Sequence, residues 1–269
     1  MSYLLILAAA ILFTPDNAFA WGPATHLEIG MDVLKSLILV TPVVRKIIER
    51  FPCDYLYGNI SADIVVAKNL AEEIQHCHNW RIGFNLLGRA ESDSQRAFSY
   101  GYLSHLASDT VAHNLFVPEK LMMSFNNRMF RHVYWELRFD AMVNRLIWQL
   151  PRRIEKGVHR ENDRLFNAVV PGTLLPFRAN KTIFSSILIL SRMERWQRMI
   201  DMLSRHSRWE LESCEREVYY RLSFDAVMGL LNEGRLAPCL KKDPRGKANI
   251  ETAKNVRRRL RVSNSKGRD

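Results

Sequence analysis

Length, composition and charge restrict the class of protein at once. The chain has 269 residues, of which 47% are hydrophobic and 25% charged, so it carries enough apolar material for a packed core, and wholesale disorder is excluded. Its 12 Gly, 10 Pro and 4 Cys exclude collagen-like, low-complexity and disulfide-dense chains. The net charge of +11 is uneven, because 12 basic and 3 acidic residues lie between Arg235 and Asp269. We predict a globular body over residues 21–233 and a basic, flexible tail over residues 234–269.

The N-terminus has the pattern of a secretory signal peptide. Residues 3–13 form an apolar run that is too short to span a bilayer. Ala18-Phe19-Ala20 then gives the small-x-small sequence that signal peptidase accepts. We predict a signal peptide over residues 1–20 with cleavage after Ala20, which makes the protein secreted or periplasmic and Trp21 its first residue. Because no Lys or Arg precedes the apolar run, a buried first helix stays open as the alternative.

The body of the chain has the apolar periodicity of α-helices. Strand-like alternation is scarce, and helical spacing recurs near residues 29–48, 100–107 and 130–147. Two further helices are predicted at about residues 181–203 and 209–232. The segment between Pro151 and Asn180 contains several Pro and Gly residues and is predicted to be a long connection. These patterns favour an all-α fold, a single multi-helix domain followed by the basic tail.

Two histidine motifs predict a metal site. His105, Asp109 and His113 follow one another at four-residue intervals, so their side chains share one face of a helix. His132 and Glu136 repeat the same spacing. A carboxylate flanked by imidazoles can bridge two cations, and nitrogen and oxygen ligands without thiolates favour zinc. The four cysteines contain no CxxC pair; they either form up to two disulfides of undetermined connectivity or stay free.

Loops and the N-terminus offer further ligands. Asp63 follows the turn-prone Gly58-Asn59 and is expected near a helix start. His76 and His78 lie on opposite sides of a helical turn, so one of the two is expected to reach the metal, and which one stays open. His26 lies close to Trp21, whose free amine and carbonyl could chelate a metal after signal cleavage.

Together these residues resemble the zinc-dependent phospholipase C family, including the N-terminal domain of glycosylphosphatidylinositol-specific phospholipase D. The resemblance covers residues 21–145 and implies an all-helical fold with three zinc ions per chain. It divides the implied ligands among three sites: His78 or His76, His105 and Asp109 with Asp63 beside them; His113, His132 and Glu136; and the Trp21 amine and carbonyl with His26 and bridging Asp109.

The resemblance implies a zinc-dependent phosphodiester hydrolase, and within this class it favours a phospholipase C that acts on phospholipid headgroups. Asp63 is the expected catalytic residue, which would orient a water molecule or accept its proton. The basic tail could contact an anionic membrane, and no specific nucleic-acid partner is expected. Asp109 and His113 are separated by fewer residues than in the secreted bacterial enzymes, so both C-type and D-type cleavage stay open.

Two other functions remain alternatives. The single-strand-specific zinc nucleases resemble this cluster, although they have Asp where Glu136 stands. A noncatalytic zinc-binding or lipid-binding relative would have the same fold. Metalloproteases, serine hydrolases and nucleotide-binding enzymes lack support, because the chain has no HExxH, GxSxG or glycine-rich phosphate-binding motif.

Overall fold

The computed structural model describes nine stretches of the chain. They are residues 21–65, 77–123, 131–144, 146–150, 154, 159–170, 176–192, 202 and 210–266, without the side chains of residues 131–133, 186–192 and 261–266. Within these stretches all regular elements are helical and no strand occurs, which confirms the all-α prediction. None of the described helices combines the length and apolarity needed to cross a bilayer. The predicted signal peptide lies outside the described residues.

The described residues between Trp21 and Val111 form five α-helices. Proline occupies the first turn of the first three helices, where its missing N–H costs no hydrogen bond. The fourth and fifth begin after Asn79 and Ser92, whose side chains accept backbone N–H groups. The helices are α1 (Pro23–Lys35), α2 (Pro42–Arg50), α3 (Pro52–Ser61), α4 (Trp80–Gly88) and α5 (Asp93–Val111), with a 3₁₀ turn at Leu37–Leu39.

The chain beyond Val111 is also helical in its described parts. Helix α5 continues directly into a π-helical turn, and three of the shorter connections form 3₁₀ turns. The elements are the π turn (Ala112–Phe116), α6 (Val117–Met123), α7 (Arg131–Ala141), α8 (Arg160–Val169), α9 (Phe177–Arg192), α10 (Ser213–Glu233) and α11 (Lys247–Lys266), with 3₁₀ turns at Ile147–Gln149, Gly234–Leu236 and Pro238–Lys241.

The packing of α3 against α5 sets the position of the site. A Cβ atom on Gly58 would lie 2.0 Å from the Phe98 carbonyl oxygen, and one on Gly101 would lie 2.0 Å from the Tyr55 carbonyl oxygen. Only glycines allow the two backbones to approach this closely. Gly58 therefore belongs to the interior of α3 rather than to a turn, and Asp63 follows the C-terminal end of that helix. The prediction that Asp63 lies near a helix start is therefore wrong, because Gly58 does not form the turn on which it was based.

Helix α8 lies inside the segment predicted as a long connection. It buries Leu165, Phe166 and Val169 on one side, and this short amphipathic stretch is flanked by the Pro and Gly residues that suggested a loop. The prediction of a continuous connection is therefore wrong for Arg160–Val169. Ten residues are enough for a helix when tertiary packing covers the apolar face.

The residues after Glu233 are folded in their first part. Ala237, Cys239 and Ala253 are buried in the common core, and α11 packs against α6. The boundary at residue 233 and the flexibility of the tail stay predictions, and the structure adds that residues 234–253 include side chains packed into the core. Charge counts missed this organisation because a basic helix can bury a narrow row of small residues while its cations stay in water.

Candidate metal centre

Helix α5 supplies the two central side chains of the site. His105 and Asp109 lie one turn apart and are completely buried, as their spacing predicts. Beyond Val111 the backbone widens into the π turn, where the Val117 N–H donates to the Ala112 carbonyl. His113, the third member of the motif, lies in this turn and is also buried. Isolated π turns of this kind are frequent at functional sites.

Helix α1 places His26 against α5. The His26 and His105 rings are stacked with their centroids 3.8 Å apart, and His26 Nε2 lies 3.3 Å from Asp109 Oδ1. The end of α3 and the start of α4 supply Asp63 and His78, whose Oδ1 and Nε2 atoms are 3.3 Å apart. Residues from four separate segments therefore meet at one buried point.

The Asp109 carboxylate is the centre of this arrangement. Its Oδ2 atom lies 3.2 Å from His105 Nε2 and 3.4 Å from His78 Nε2, and the two Nε2 atoms are 3.0 Å apart. Two overlapping groups have ligand atoms that all lie within 4.8 Å of one another, and each could hold a metal ion: His26, Asp63 and His105, and His78, His105 and Asp109. We call the five residues the histidine–carboxylate cluster.

Hydrogen bonds on the far side of two rings determine which nitrogen faces the cluster. His105 Nδ1 lies 2.8 Å from the Asn59 carbonyl oxygen, which can only accept a hydrogen bond. His26 Nδ1 lies 3.1 Å from Ser108 Oγ, whose own hydrogen is donated to the His105 carbonyl. Both rings therefore donate through Nδ1, and in the neutral form each Nε2 presents a lone pair to the cluster.

The cluster fits a divalent cation. His26 Nε2 and both Asp109 oxygens are buried and make no hydrogen bond, although buried polar atoms are nearly always partnered. Lone pairs of imidazole and carboxylate that face one another repel unless a cation lies between them. Nitrogen and oxygen donors of this type suit zinc. The donor set and its unsatisfied atoms are what a metal site requires.

The electrostatics of the cluster favour an ionised carboxylate. Burial disfavours the charge of Asp109, but the adjacent His105 and His26 rings hold the pKa of its carboxyl well below the usual range. Burial also opposes a charge on His105, yet the Asp109 and Asp63 carboxylates raise its pKa. Burial and the neighbouring His105 lower the pKa of His26, which favours its neutral, metal-ligating form.

The remaining predicted ligands have different outcomes. His113 and Glu136 are buried on neighbouring elements but belong to neither group of converging atoms among the described residues. His132 lies in α7 with its side chain outside the described part, and His76 lies outside the described residues altogether. The Trp21 ring is fully buried between Phe116 and Phe139. Its indole N–H donates to Ser223 Oγ over 3.1 Å.

The sequence analysis missed Asp140. Its carboxylate on α7 accepts the backbone N–H groups of Ala24 and Thr25 over 3.3 and 3.0 Å, and so caps the start of the helix that carries His26. A Cβ on Gly22 would lie 2.0 Å from Asp140 Oδ2, so the cap fits tightly. Burial raises the pKa of Asp140 to about 6. The sequence does contain an indication of this residue, because Asp140 continues the four-residue spacing of His132 and Glu136.

The cysteines take no part in the cluster as ligands. All four are free thiols: Cys53 and Cys214 are exposed, and Cys77 and Cys239 are buried. Cys77 instead supports His78 from outside, with its Sγ 3.3 Å from His78 Nδ1. The Tyr102 hydroxyl donates to the Cys77 carbonyl. Neighbours of a ligand that fix its orientation commonly affect metal affinity.

Comparison with known proteins agrees with this geometry. The family model described as zinc-dependent phospholipase C matches residues 25–171, which is more than half of the chain and contains His26, Asp63, His78, His105 and Asp109. No curated protein and no solved structure matches the chain. The matched stretch confirms the resemblance inferred from the ligand motifs, and the chain belongs to the zinc-dependent phospholipase C family.

Proposed function

We propose that this protein is a zinc-dependent phospholipase C that hydrolyses phospholipid headgroups at a site holding three zinc ions. The observation that carries the proposal is the histidine–carboxylate cluster, in which imidazole lone pairs and the oxygens of Asp109 face one another at 3.2–3.4 Å. Family membership supports hydrolysis of a phosphodiester.

The proposed ligands fall into three sets. His78 or His76, with His105 and Asp109, would hold one zinc ion with Asp63 beside it. His113, His132 and Glu136 would hold the second. The third would be held by His26, bridging Asp109 and the amine and carbonyl of Trp21, which requires cleavage after Ala20 and hence export to the periplasm or the exterior. The anchoring of the Trp21 indole by Ser223 supports a fixed position for this residue.

The zinc ions would supply positive charge that stabilises the phosphate oxygens in the transition state and would make water more acidic. Asp63 would orient the attacking water or accept its proton, since its buried carboxylate lies at the edge of the cluster next to His78. The water oxygen would form a bond to phosphorus as the bond from phosphorus to the glycerol oxygen breaks. The released alkoxide takes up a proton and leaves as diacylglycerol.

The phospholipid substrate makes a membrane contact necessary, and we propose that α11 provides it. Lys254, Arg258 and Arg259 are exposed on this helix. Val256 and Leu260 on the same helix are 39% and 55% exposed. Cations beside apolar side chains suit an anionic lipid surface, at about 1 kcal/mol for each nearby cation. Replacing Arg258 and Arg259 by Gln should weaken sedimentation with anionic vesicles, whereas unchanged binding would contradict this contact.

The activity is tested with phosphatidylcholine vesicles and a single-stranded DNA of similar phosphate concentration. The wild-type protein and His159→Ala, a variant of a buried histidine outside the cluster, should release diacylglycerol, and His105→Ala should not. Release of phosphatidic acid would show D-type cleavage instead, and cleavage of the DNA alone would show a nuclease. No hydrolysis of any diester by zinc-loaded wild-type protein would contradict the proposal.

A further inference from the structure

The C-terminal segment from Lys242 to Asn249, which we call the C-terminal strap, lies across the two segments that flank α5. It follows the 3₁₀ turn Pro238–Lys241 and includes the first residues of α11. This part of the chain lies well beyond residue 171, where the match to the family model ends. Its contacts with the metal centre are therefore a property of this chain that the family match does not describe.

Three consecutive carbonyls of the strap accept hydrogen bonds from residues beside the cluster. The Trp80 indole N–H donates to the Lys242 carbonyl over 2.9 Å, and Trp80 follows His78 by two residues. The Asn114 amide donates to the Asp243 carbonyl over 2.8 Å. His113 Nδ1 lies 2.6 Å from the Pro244 carbonyl oxygen.

The strap also packs directly on the backbone of His113. Gly246 has a φ of +56°, and a Cβ atom added there would lie 2.2 Å from the His113 carbonyl oxygen. The Asn249 amide holds the neighbouring Asn114 side chain by donating to its Oδ1 over 2.8 Å. Both the positive φ and the close contact require glycine at position 246.

We propose that the C-terminal strap is a positioning element for the metal centre, which fixes the ring of His113 through the Pro244 carbonyl. A carbonyl can only accept, so the ring carries its proton on Nδ1 and presents the Nε2 lone pair as the ligand atom. This inference rests on the proposed function, because it assigns His113 to a zinc ion. It adds that residues 242–249, which supply no ligand themselves, orient His113 from a part of the chain that follows every proposed ligand, the last of which is Glu136.

The chain provides a matched pair of glycines for the test. Gly246 and Gly234 both have a φ of +56°, but nothing lies within 4 Å of a Cβ built on Gly234. Gly246→Ala and Gly234→Ala therefore impose a similar backbone strain, and only the first displaces the strap from His113. Both variants are made in the full-length chain and are compared by zinc affinity in competition with a chelator and by the tautomer of His113 in ¹⁵N NMR spectra.

We expect Gly246→Ala to weaken binding of the most easily lost zinc ion by about 10- to 100-fold and to lose the Nδ1-protonated form of His113. Gly234→Ala should keep the wild-type values. If Gly246→Ala does not fold, Trp80→Phe combined with Asn249→Ala removes two strap contacts and should shift zinc affinity in the same direction. Wild-type affinity and tautomer in a folded strap variant would overturn this inference alone. A wild-type protein that binds no zinc would overturn the proposed function and the strap's role together.

Discussion

Two clusters of polar side chains, one fully buried and one part-buried, contact different parts of α3, and they differ in how their carboxylate oxygens are matched. At its C-terminal end is the histidine–carboxylate cluster, where His26 Nε2 and both Asp109 oxygens have no hydrogen bond. At its N-terminal end Asp54 and Tyr57 form a second cluster with His159, Asn162, Asp163 and Lys181, which we call the Tyr57 cluster.

Protein donors face the carboxylates of the Tyr57 cluster. The Tyr57 hydroxyl and the Lys181 ammonium donate to the two oxygens of Asp163 over 2.5 and 2.6 Å. His159 places Nε2 2.7 Å from the Ile154 carbonyl and Nδ1 3.2 Å from Asp54 Oδ1, while its ring stacks on Tyr57. The Asn162 amide also donates to Asp54 Oδ1 over 2.6 Å, so both carboxylates have protein donors and need no cation. Both clusters combine histidine with aspartate, and the orientation of lone pairs toward one another distinguishes the candidate metal centre from the structural network.

Removal of metal should give the largest difference between the clusters. A chelator should abolish hydrolysis and lower the free energy of unfolding by about 4 kcal/mol if free zinc had been at a thousandfold excess over Kd. His105→Ala should lose zinc in the same way and respond little to the chelator. The comparison is made by chemical denaturation with and without chelator. Equal stability of the wild-type protein in both conditions would remove the distinction between the clusters.

Asp63→Asn should separate chemistry from metal binding. We expect this variant to keep most of its zinc, because His78, His105 and Asp109 remain. Its kcat should fall by about 10²- to 10⁴-fold. Zinc content and vesicle hydrolysis are measured on the same sample. Wild-type turnover in a folded, zinc-loaded Asp63→Asn protein would exclude Asp63 from the mechanism.

His159→Ala is the corresponding change in the Tyr57 cluster. It removes one of the two partners of the part-buried Asp54 carboxylate and leaves the Asn162 amide in place, so the free energy of unfolding should fall by up to about 3 kcal/mol. Zinc content and the chelator response should equal those of the wild-type protein. Loss of zinc from a folded His159→Ala variant would show that the two clusters are coupled rather than separate.

The Asp140→Asn substitution should change stability least, and its effect should depend on pH. Because burial raises the pKa of this carboxyl in the folded protein to about 6, above the ordinary value of an aspartate, the neutral carboxyl stabilises the fold at low pH. This contribution is lost as pH rises towards 6, and Glu28 nearby acts in the same direction. Measured with chelator present, the stability of Asp140→Asn relative to wild type should rise by about 1–3 kcal/mol between pH 4 and pH 7. A difference independent of pH would contradict the raised pKa.

The local patterns of the sequence predicted the helical class correctly and indicated which residues of α5 lie side by side. His105 and Asp109 could be placed together because a helix fixes the direction of residues four apart. His26, Asp63 and His78 were found through their resemblance to a family motif, since no local rule brings three distant segments to one point. Position relative to helix ends was less predictable: Gly58 looked like a turn residue, although it permits the close approach of α3 and α5.

Features that depend on distant contacts escaped the sequence analysis. Asp140 caps a helix that begins more than a hundred residues earlier in the chain, and the strap carbonyls accept hydrogen bonds from residues equally far away. Every residue has a backbone carbonyl, so the residue types do not indicate which carbonyls accept these hydrogen bonds. The basic composition after Arg235 suggested a solvated tail, because a count of charges does not register the buried Ala237 and Ala253.

The zinc content of the wild-type protein tests the central claim most directly. The folded protein is exported with its own N-terminal signal, and its metal content is measured by mass spectrometry. We expect close to three zinc ions per chain in the wild-type protein, fewer in His105→Ala and the same number in His159→Ala. Folded wild-type protein without zinc, and with no gain in stability when zinc is added, would contradict the account of the histidine–carboxylate cluster as a metal centre.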